Sequence, residues 1–247
     1  MKIISIINQK GGVGKTTLAV NLGVALSERG KKILLIDLDP QGNLTYSFGI
    51  TPNGGTISDV LQGSKTIQAI LTQAETVTLA PSSVSLADVE VSLVSKIGRE
   101  GILKDRLKTV TGFDYILIDC PPSLSVLTIN ALNASDEVII PLQLEVLSMQ
   151  GLGQLLATIK EVRQVLNKNL KIRGIIPSMF DGRRKLSEEV LKEIAGNVKE
   201  RIFKTSIREC VKIAEAPSFA KSVMAYAPSS NGAEDFRNLA KEFIKEG

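Results

Sequence analysis

Apolar residues in this chain fall in short, nearly unbroken runs separated by longer stretches with helical spacing. Isoleucines dominate residues 2–8, Ile33 to Ile36 form a second block, Tyr115 to Ile118 a third, Val138 to Ile140 a fourth and Ile172 to Ile176 a fifth. Runs this short and rich in β-branched residues predict strands buried on both faces, as in a parallel sheet. Between the first two lies a helix-forming stretch from Leu18 through Ser27 to about Arg29, ended by Gly30, so the first 36 residues read as a βαβ unit. Further helices are predicted from about Ser148 to Leu166, from Leu186 to about Val198, and briefly over Ser58 to Leu61 after the turn cluster at Pro52 to Gly55. Val77 to Ala80 reads as another strand, followed by helical spacing at Val84, Val91 and Val94. The last helix places Phe236, Leu239, Ala240, Phe243 and Ile244 on one face, a stripe suited to docking on a core. The expected fold is α/β: a doubly wound, mostly parallel sheet with helices on both faces, in one domain over residues 1–247. Such sheets bind ligands beyond the carboxyl ends of their strands.

Chemistry is concentrated at those ends. Directly behind the first run stands Lys10-Gly11-Gly12-Val13-Gly14-Lys15-Thr16-Thr17. The phosphate-loop pattern G-x-x-x-x-G-K-[ST] asks for glycine at position 9, where this chain has Gln9. A loop that turns its N–H groups onto phosphates needs small residues in unusual dihedrals, which Gly11, Gly12 and Gly14 supply. Lys15 then brings charge to the β- and γ-phosphates, the Thr16 hydroxyl is placed to ligate Mg²⁺, and the following helix offers its N-terminus. Lys10 reads either as a solvated surface lysine or as a second cation beside a polyphosphate.

The second run continues into Asp37-Leu38-Asp39-Pro40-Gln41-Gly42-Asn43. Alternation puts both carboxylates on one side at the strand's end. The third ends in Asp119, followed by Cys120-Pro121-Pro122-Ser123. An aspartate at the tip of a buried strand beside a phosphate loop is how Mg²⁺ is held, directly or through water. Ser123 is the better candidate to cap the next helix, and Cys120 reads as core packing.

At this point the chain resembles a known family. KGGVGKTT is similar to the deviant Walker A motif of the ParA/MinD P-loop superfamily, DLDPQGN to its second motif and ILIDCPPS to its Walker B region. Pro141-x-Gln143-x-Glu145 and the segments Ile207 to Ser218 and Tyr226 to Ser230 continue the resemblance. It implies a ParA/Soj-type partition ATPase using ATP and Mg²⁺. Lys10 would reach across a homodimer to the partner's nucleotide, and Lys10, Lys15 and Asp39 would be catalytic, Asp39 handling the attacking water with Asp37 in support. Residues 10–17 would hold the phosphates, Thr16 and Asp119 the metal, and Ser178 and Met179 the adenine. The implied partners are non-specific double-stranded DNA and a ParB-like centromere-binding protein that stimulates hydrolysis. Relatives of the chromosomal type would carry proline near Arg208 and arginine at Lys212, so the chain reads as nearer to plasmid or mobile-element members, with plasmid or chromosome both open as the cargo.

Composition supports a partner of negative charge. The 247 residues are 43% hydrophobic and 23% charged, with a net charge of +4. Residues 1–150 hold 12 Lys/Arg against 14 Asp/Glu, and residues 151–247 hold 18 against 12. The candidates for phosphate contact are Arg183, Arg184, Lys185, Lys199, Arg201, Lys204, Arg208 and Lys212. Without tryptophan and with three tyrosines, backbone contact with a duplex is favoured over base stacking. Two cysteines in no metal-type or C-x-x-C spacing, with no export or membrane-spanning run, suggest a cytoplasmic protein; the resemblance to the ParA/Soj type implies in addition that it associates with the nucleoid and is not expected to dock on membranes. Two alternatives remain: a MinD-like membrane-surface ATPase, and a metabolic P-loop enzyme with a small-molecule acceptor.

Overall fold

The computed structural model describes residues 1–145, 148–180 and 185–245. Its elements in chain order are β1 (Lys2–Ile6), α1 (Lys15–Ser27), β2 (Ile33–Asp37), α2 (Asn43–Ser47), α3 (Ile57–Gln62), β3 (Thr72–Ala74), β4 (Val77–Ala80), α4 (Ser85–Leu93), α5 (Ile102–Leu107), β5 (Tyr115–Asp119), α6 (Val126–Ala134), β6 (Glu137–Gln143), α7 (Ser148–Val165), β7 (Lys171–Ser178), α8 (Lys185–Asn197), α9 (Val211–Glu215), α10 (Val223–Tyr226) and α11 (Asn231–Lys245). The seven strands lie in the order β3-β4-β2-β5-β1-β6-β7. Only β3 runs antiparallel to its neighbour; β1, β2, β4, β5, β6 and β7 are parallel.

Strand alternation divides the core in two. Ile4, Ile6, Leu35 and Leu117 face α1, α2, α10 and α11, whereas Ile7, Leu34, Ile36, Ile116 and Ile118 face α3 to α8. A sheet covered on both faces explains why its strands read as continuous apolar runs. Helix α1 is buried from Leu18 to Leu26 because it lies between the sheet and α11. The final helix docks as its stripe predicts, with Phe236, Leu239, Ala240 and Phe243 buried.

Two local expectations change. Val84, Val91 and Val94 point to solvent, while Leu86, Val89 and Leu93 carry α4 into the core, since the same helix offers the bulkier leucines on its opposite face. The cap of α6 is Ser125, whose side chain accepts from Leu127 N, two residues later than Ser123. The edge of β7 is covered by residues 201–209: Ile175 N donates to Arg201 O at 2.8 Å and Phe203 N to Ile175 O at 2.9 Å. That approach requires Gly174, where a Cβ would lie 2.8 Å from the Phe203 ring and 2.9 Å from Arg201 O.

Candidate nucleotide site

Strand β1 delivers the chain to residues 8–14, which turn back into α1. Asn8 fixes the entry: its amide donates to Pro141 O at 2.7 Å, and its Oδ1 accepts from Lys10 N at 3.0 Å. Gly12 and Gly14 take left-handed φ values of 76° and 88°, conformations that penalise any side chain. Among the described residues no atom lies within 4 Å of a Cβ built on Gly11 or Gly12, so the loop opens away from them. Ser178, at the end of β7, clamps the far side by donating to Val13 O at 2.9 Å.

Three more strand ends close around this loop. Lys15 is 7% exposed and donates to Lys10 O at 3.3 Å. Burial lowers its pKa, opposed by the charges of Asp119 and Asp39. Thr16 Oγ1 donates to Asp119 Oδ2 at 2.7 Å; Asp119 Oδ1 is buried with no partner among the described residues. Burial, with Asp37 and Asp39 nearby, pushes the Asp119 carboxyl well above its usual range. An orphaned carboxylate oxygen beside a threonine hydroxyl is a site built for a cation, because a bare buried acceptor is costly. Among the described residues no group of three or more His, Cys, Asp or Glu is placed to hold a metal alone. The hydroxyl–carboxylate pair nevertheless fits Mg²⁺, which takes its remaining ligands from phosphate and water.

Asp37 and Asp39 separate in role. Asp37 is fully buried; its Oδ2 accepts from Thr45 N at 2.8 Å and Thr45 Oγ1 at 2.7 Å. Burial raises its pKa to about 6 against the lowering effect of these bonds. Asp39 lines the phosphate cavity, about 470 Å³, with Gly11, Gly12, Gly14, Lys15, Thr16 and Thr17. Its Oδ1 accepts from Gln41 N at 2.9 Å.

Lys10 stands apart. Its ammonium bonds Glu145 Oε2 at 2.6 Å and Gln143 Oε1 at 3.2 Å, both on the chain leaving β6. It is therefore drawn away from the cradle that Lys15 occupies. A second, mostly apolar cavity of about 250 Å³ adjoins the loop; it is lined by Val13, Gly14, Thr17, Leu18, Ser178, Met179, Ile207, Cys210, Ile213 and Phe236, among others. Ser178 and Met179 are thus brought to the loop, but the Ser178 hydroxyl is already committed to Val13. Met179 holds a left-handed φ of 51° at the mouth of both cavities.

The C-terminal cations do not form one free surface. Arg208 is bound to Asp235 at 2.6 Å and Glu234 at 3.0 Å, Arg201 to Glu242 at 2.8 Å and Lys212 to Glu215 at 2.8 Å. Lys199 and Lys204 are exposed. Arg183 and Arg184 lie outside the described residues, as does the side chain of Lys185. Sequence reasoning gave no role to Asn8, Gln143 or Glu145. The signal for Asn8 was available, a polar residue directly after a buried strand. Among the described residues, no helix is long and apolar enough to cross a membrane.

A family model described as "AAA domain" matches residues 1–172. The sporulation initiation inhibitor protein Soj of Bacillus subtilis is 45% identical over 100% of this chain and 99% of its own length. The chromosome partitioning protein ParA of Myxococcus xanthus is 42% identical over 99% of this chain and 88% of its own. Neither name supports the expected plasmid or mobile-element type. Among solved structures, a cobyrinic acid a,c-diamide synthase from Mycobacterium smegmatis with bound ATP analogue and magnesium superposes with a TM-score of 0.88. It is 37% identical and covers 99% of this chain and 95% of that one. With a glycine-rich loop, the Thr16–Asp119 pair and Asp39 gathered at the carboxyl ends of parallel strands, and with relatives of this identity and coverage, the chain belongs to the AAA-domain family as a P-loop ATPase of the ParA/Soj type.

Proposed function

We propose that this chain is a partition ATPase acting as one domain over residues 1–247, with ATP occupancy controlling dimerisation and DNA binding. The N–H groups of residues 11–17 and the Lys15 ammonium would bind the phosphates, with the base in the apolar cavity between α1 and residues 207–214. Thr16 and Asp119 would hold Mg²⁺, which neutralises charge developing on the β- and γ-phosphate oxygens. Asp39 would orient the attacking water.

The observation that carries the dimer reading is the placement of Lys10. Its own phosphate cradle already has Lys15, and its ammonium is turned outward to Glu145 and Gln143. A surplus cation at the rim can serve a partner's phosphates. The dimer would then bind non-specific duplex DNA through Lys199 and Lys204 with Arg183, Arg184 and Lys185. A ParB-like partner would stimulate hydrolysis and release it, in a nucleoid-associated cycle where ATP acts as a switch.

The test is duplex binding with ATP, with ADP and without nucleotide, across a salt series, for wild type and Lys10→Ala. Binding that needs ATP, weakens steeply with salt and vanishes in the variant is expected. Binding indifferent to nucleotide would overturn the switch. The name of the structural neighbour suggests a synthase alternative, which requires a small carboxylic acid that raises turnover without DNA.

A further inference from the structure

Ser82 lies between β4 and α4, far in sequence from every phosphate-binding motif, yet it is 2% exposed and bonded to both ends of the Asp37–Thr45 turn. Its Oγ donates to Asp39 O at 2.9 Å, and its N–H donates to Thr45 Oγ1 at 2.9 Å. Thr45 Oγ1 in turn donates to Asp37 Oδ2 at 2.7 Å, and Asp37 Oδ1 accepts from Asp39 N at 3.3 Å. The four residues close a ring that grips Asp39 by its N–H and its carbonyl.

The carboxylate of Asp39 is left half free. Gln41 N occupies Oδ1, and Oδ2 has no hydrogen-bond partner among the described residues, in a residue that lines the cavity with Lys15 and Thr16. From this arrangement we propose that Ser82 is a positioning residue for hydrolysis, fixing the backbone of Asp39 so that Oδ2 is held toward the phosphate site. The inference rests on the reading of Asp39 as the residue that orients the attacking water.

The hydroxyl has a task separable from packing. Were it absent, the N–H of residue 82 would still reach Thr45, and Asp39 O would keep its bond from Gly42 N at 2.9 Å. The turn therefore survives. What is lost is the second restraint on the Asp39 carbonyl, which lets the peptide plane after Asp39 rock and the carboxylate drift. Misplacement of a catalytic group by about 1 Å costs up to about a hundredfold in rate; a partial loss of restraint should cost about tenfold.

The experiment is single-turnover ATP hydrolysis by the full chain with Mg²⁺, together with nucleotide affinity from a fluorescent ATP analogue. The proteins are wild type, Ser82→Ala, Asp39→Ala and the double variant. Ser82→Ala should hydrolyse about tenfold more slowly with affinity within about twofold of wild type, and should cause no further loss in the Asp39→Ala background, because residues acting through one another are not additive. A wild-type rate in Ser82→Ala overturns the proposal, as does an affinity loss matching the rate loss, or the same tenfold loss persisting without the Asp39 carboxylate. If Asp39→Ala alone hydrolyses at the wild-type rate, the Asp39 reading falls, and the role of Ser82 falls with it.

Discussion

Arg208 separates a nucleic-acid contact from a structural clamp, and the two make opposite predictions. The substitution is Arg208→Ala. Its guanidinium reaches Asp235 Oδ1 at 2.6 Å through Nη2 and Asp235 through Nε at 3.0 Å, and it also binds Glu234 Oε2 at 3.0 Å. The backbone N–H of the same residue donates to Asp235 Oδ2 at 2.9 Å, so residues 207–209 are tied to α11. Asp235 and Glu234 hold Arg208 charged, its pKa raised. The Asp235 side chain is 8% exposed and that of Arg208 is 41% exposed. Charge-assisted hydrogen bonds are worth about 1.5–3 kcal/mol, and stranding a well-buried carboxylate costs about 3–5 kcal/mol. The half-open guanidinium and the retained backbone bond argue for the lower range, so a loss of about 2 kcal/mol is expected. For a chain of this length that corresponds to a melting temperature lower by about 4–8 °C. Thermal unfolding of Arg208→Ala beside Lys204→Ala, which breaks no ion pair among the described residues and should lie within about 0.5 kcal/mol of wild type, is the assay. If Arg208→Ala melts with wild type and loses only DNA binding, the clamp is wrong and the sequence-based assignment of Arg208 to DNA stands.

Two further outcomes follow from the acidic cluster. Asp119→Asn keeps the shape and the Thr16 contact but weakens the cation site, so the Mg²⁺ concentration giving half-maximal hydrolysis should rise about ten- to a hundredfold; an unchanged midpoint would remove Asp119 from the metal site. Burial raises the Asp37 pKa to about 6 in the folded chain from an ordinary carboxylate value of about 4, so the native state binds more protons than the unfolded chain between those values. Asp37 therefore lowers stability as pH rises from about 4 to about 6, by roughly 3 kcal/mol at most, and denaturant unfolding of Asp37→Asn should be flatter than wild type across that window.

The sheet was legible because burial on both faces leaves no choice of pattern: Ile33 to Ile36 and Tyr115 to Ile118 must be strands where they stand. The phosphate loop was legible because glycine, lysine and threonine are each needed at fixed spacing by the ligand. What sequence could not supply were pairings across the fold. Nothing in the order of residues ties Ser82 to Asp39 or Arg208 to Asp235, since each bond joins elements that become neighbours only through the crossovers of the sheet. The basic C-terminal segment shows the same limit. Charge counts register Arg201, Arg208 and Lys212 as positive, while folding sets Glu242, Asp235 and Glu215 against them. Val84, Val91 and Val94 show a similar limit, because helical spacing marks a stripe without saying whether a bulkier one on the opposite face will take the core.

The two lysines of the loop illustrate how local placement assigns different work to the same side chain. Lys15 is buried near Asp39 and Asp119, where desolvation lowers its pKa and the carboxylate charges oppose that shift. Lys10 pairs with Glu145 at the surface, with side chains 44% and 48% exposed, and such pairs are worth only about 0–1 kcal/mol. A polyphosphate carries several negative charges against one exposed carboxylate, so the proposed role of Lys10 predicts that the Glu145 contact yields when nucleotide binds. The energy that would turn Lys10 toward another subunit must then come from the nucleotide itself. ADP lacks the γ-phosphate, so the same side chain should stay on Glu145 with ADP and leave it with ATP, which is the condition a nucleotide-gated dimer requires.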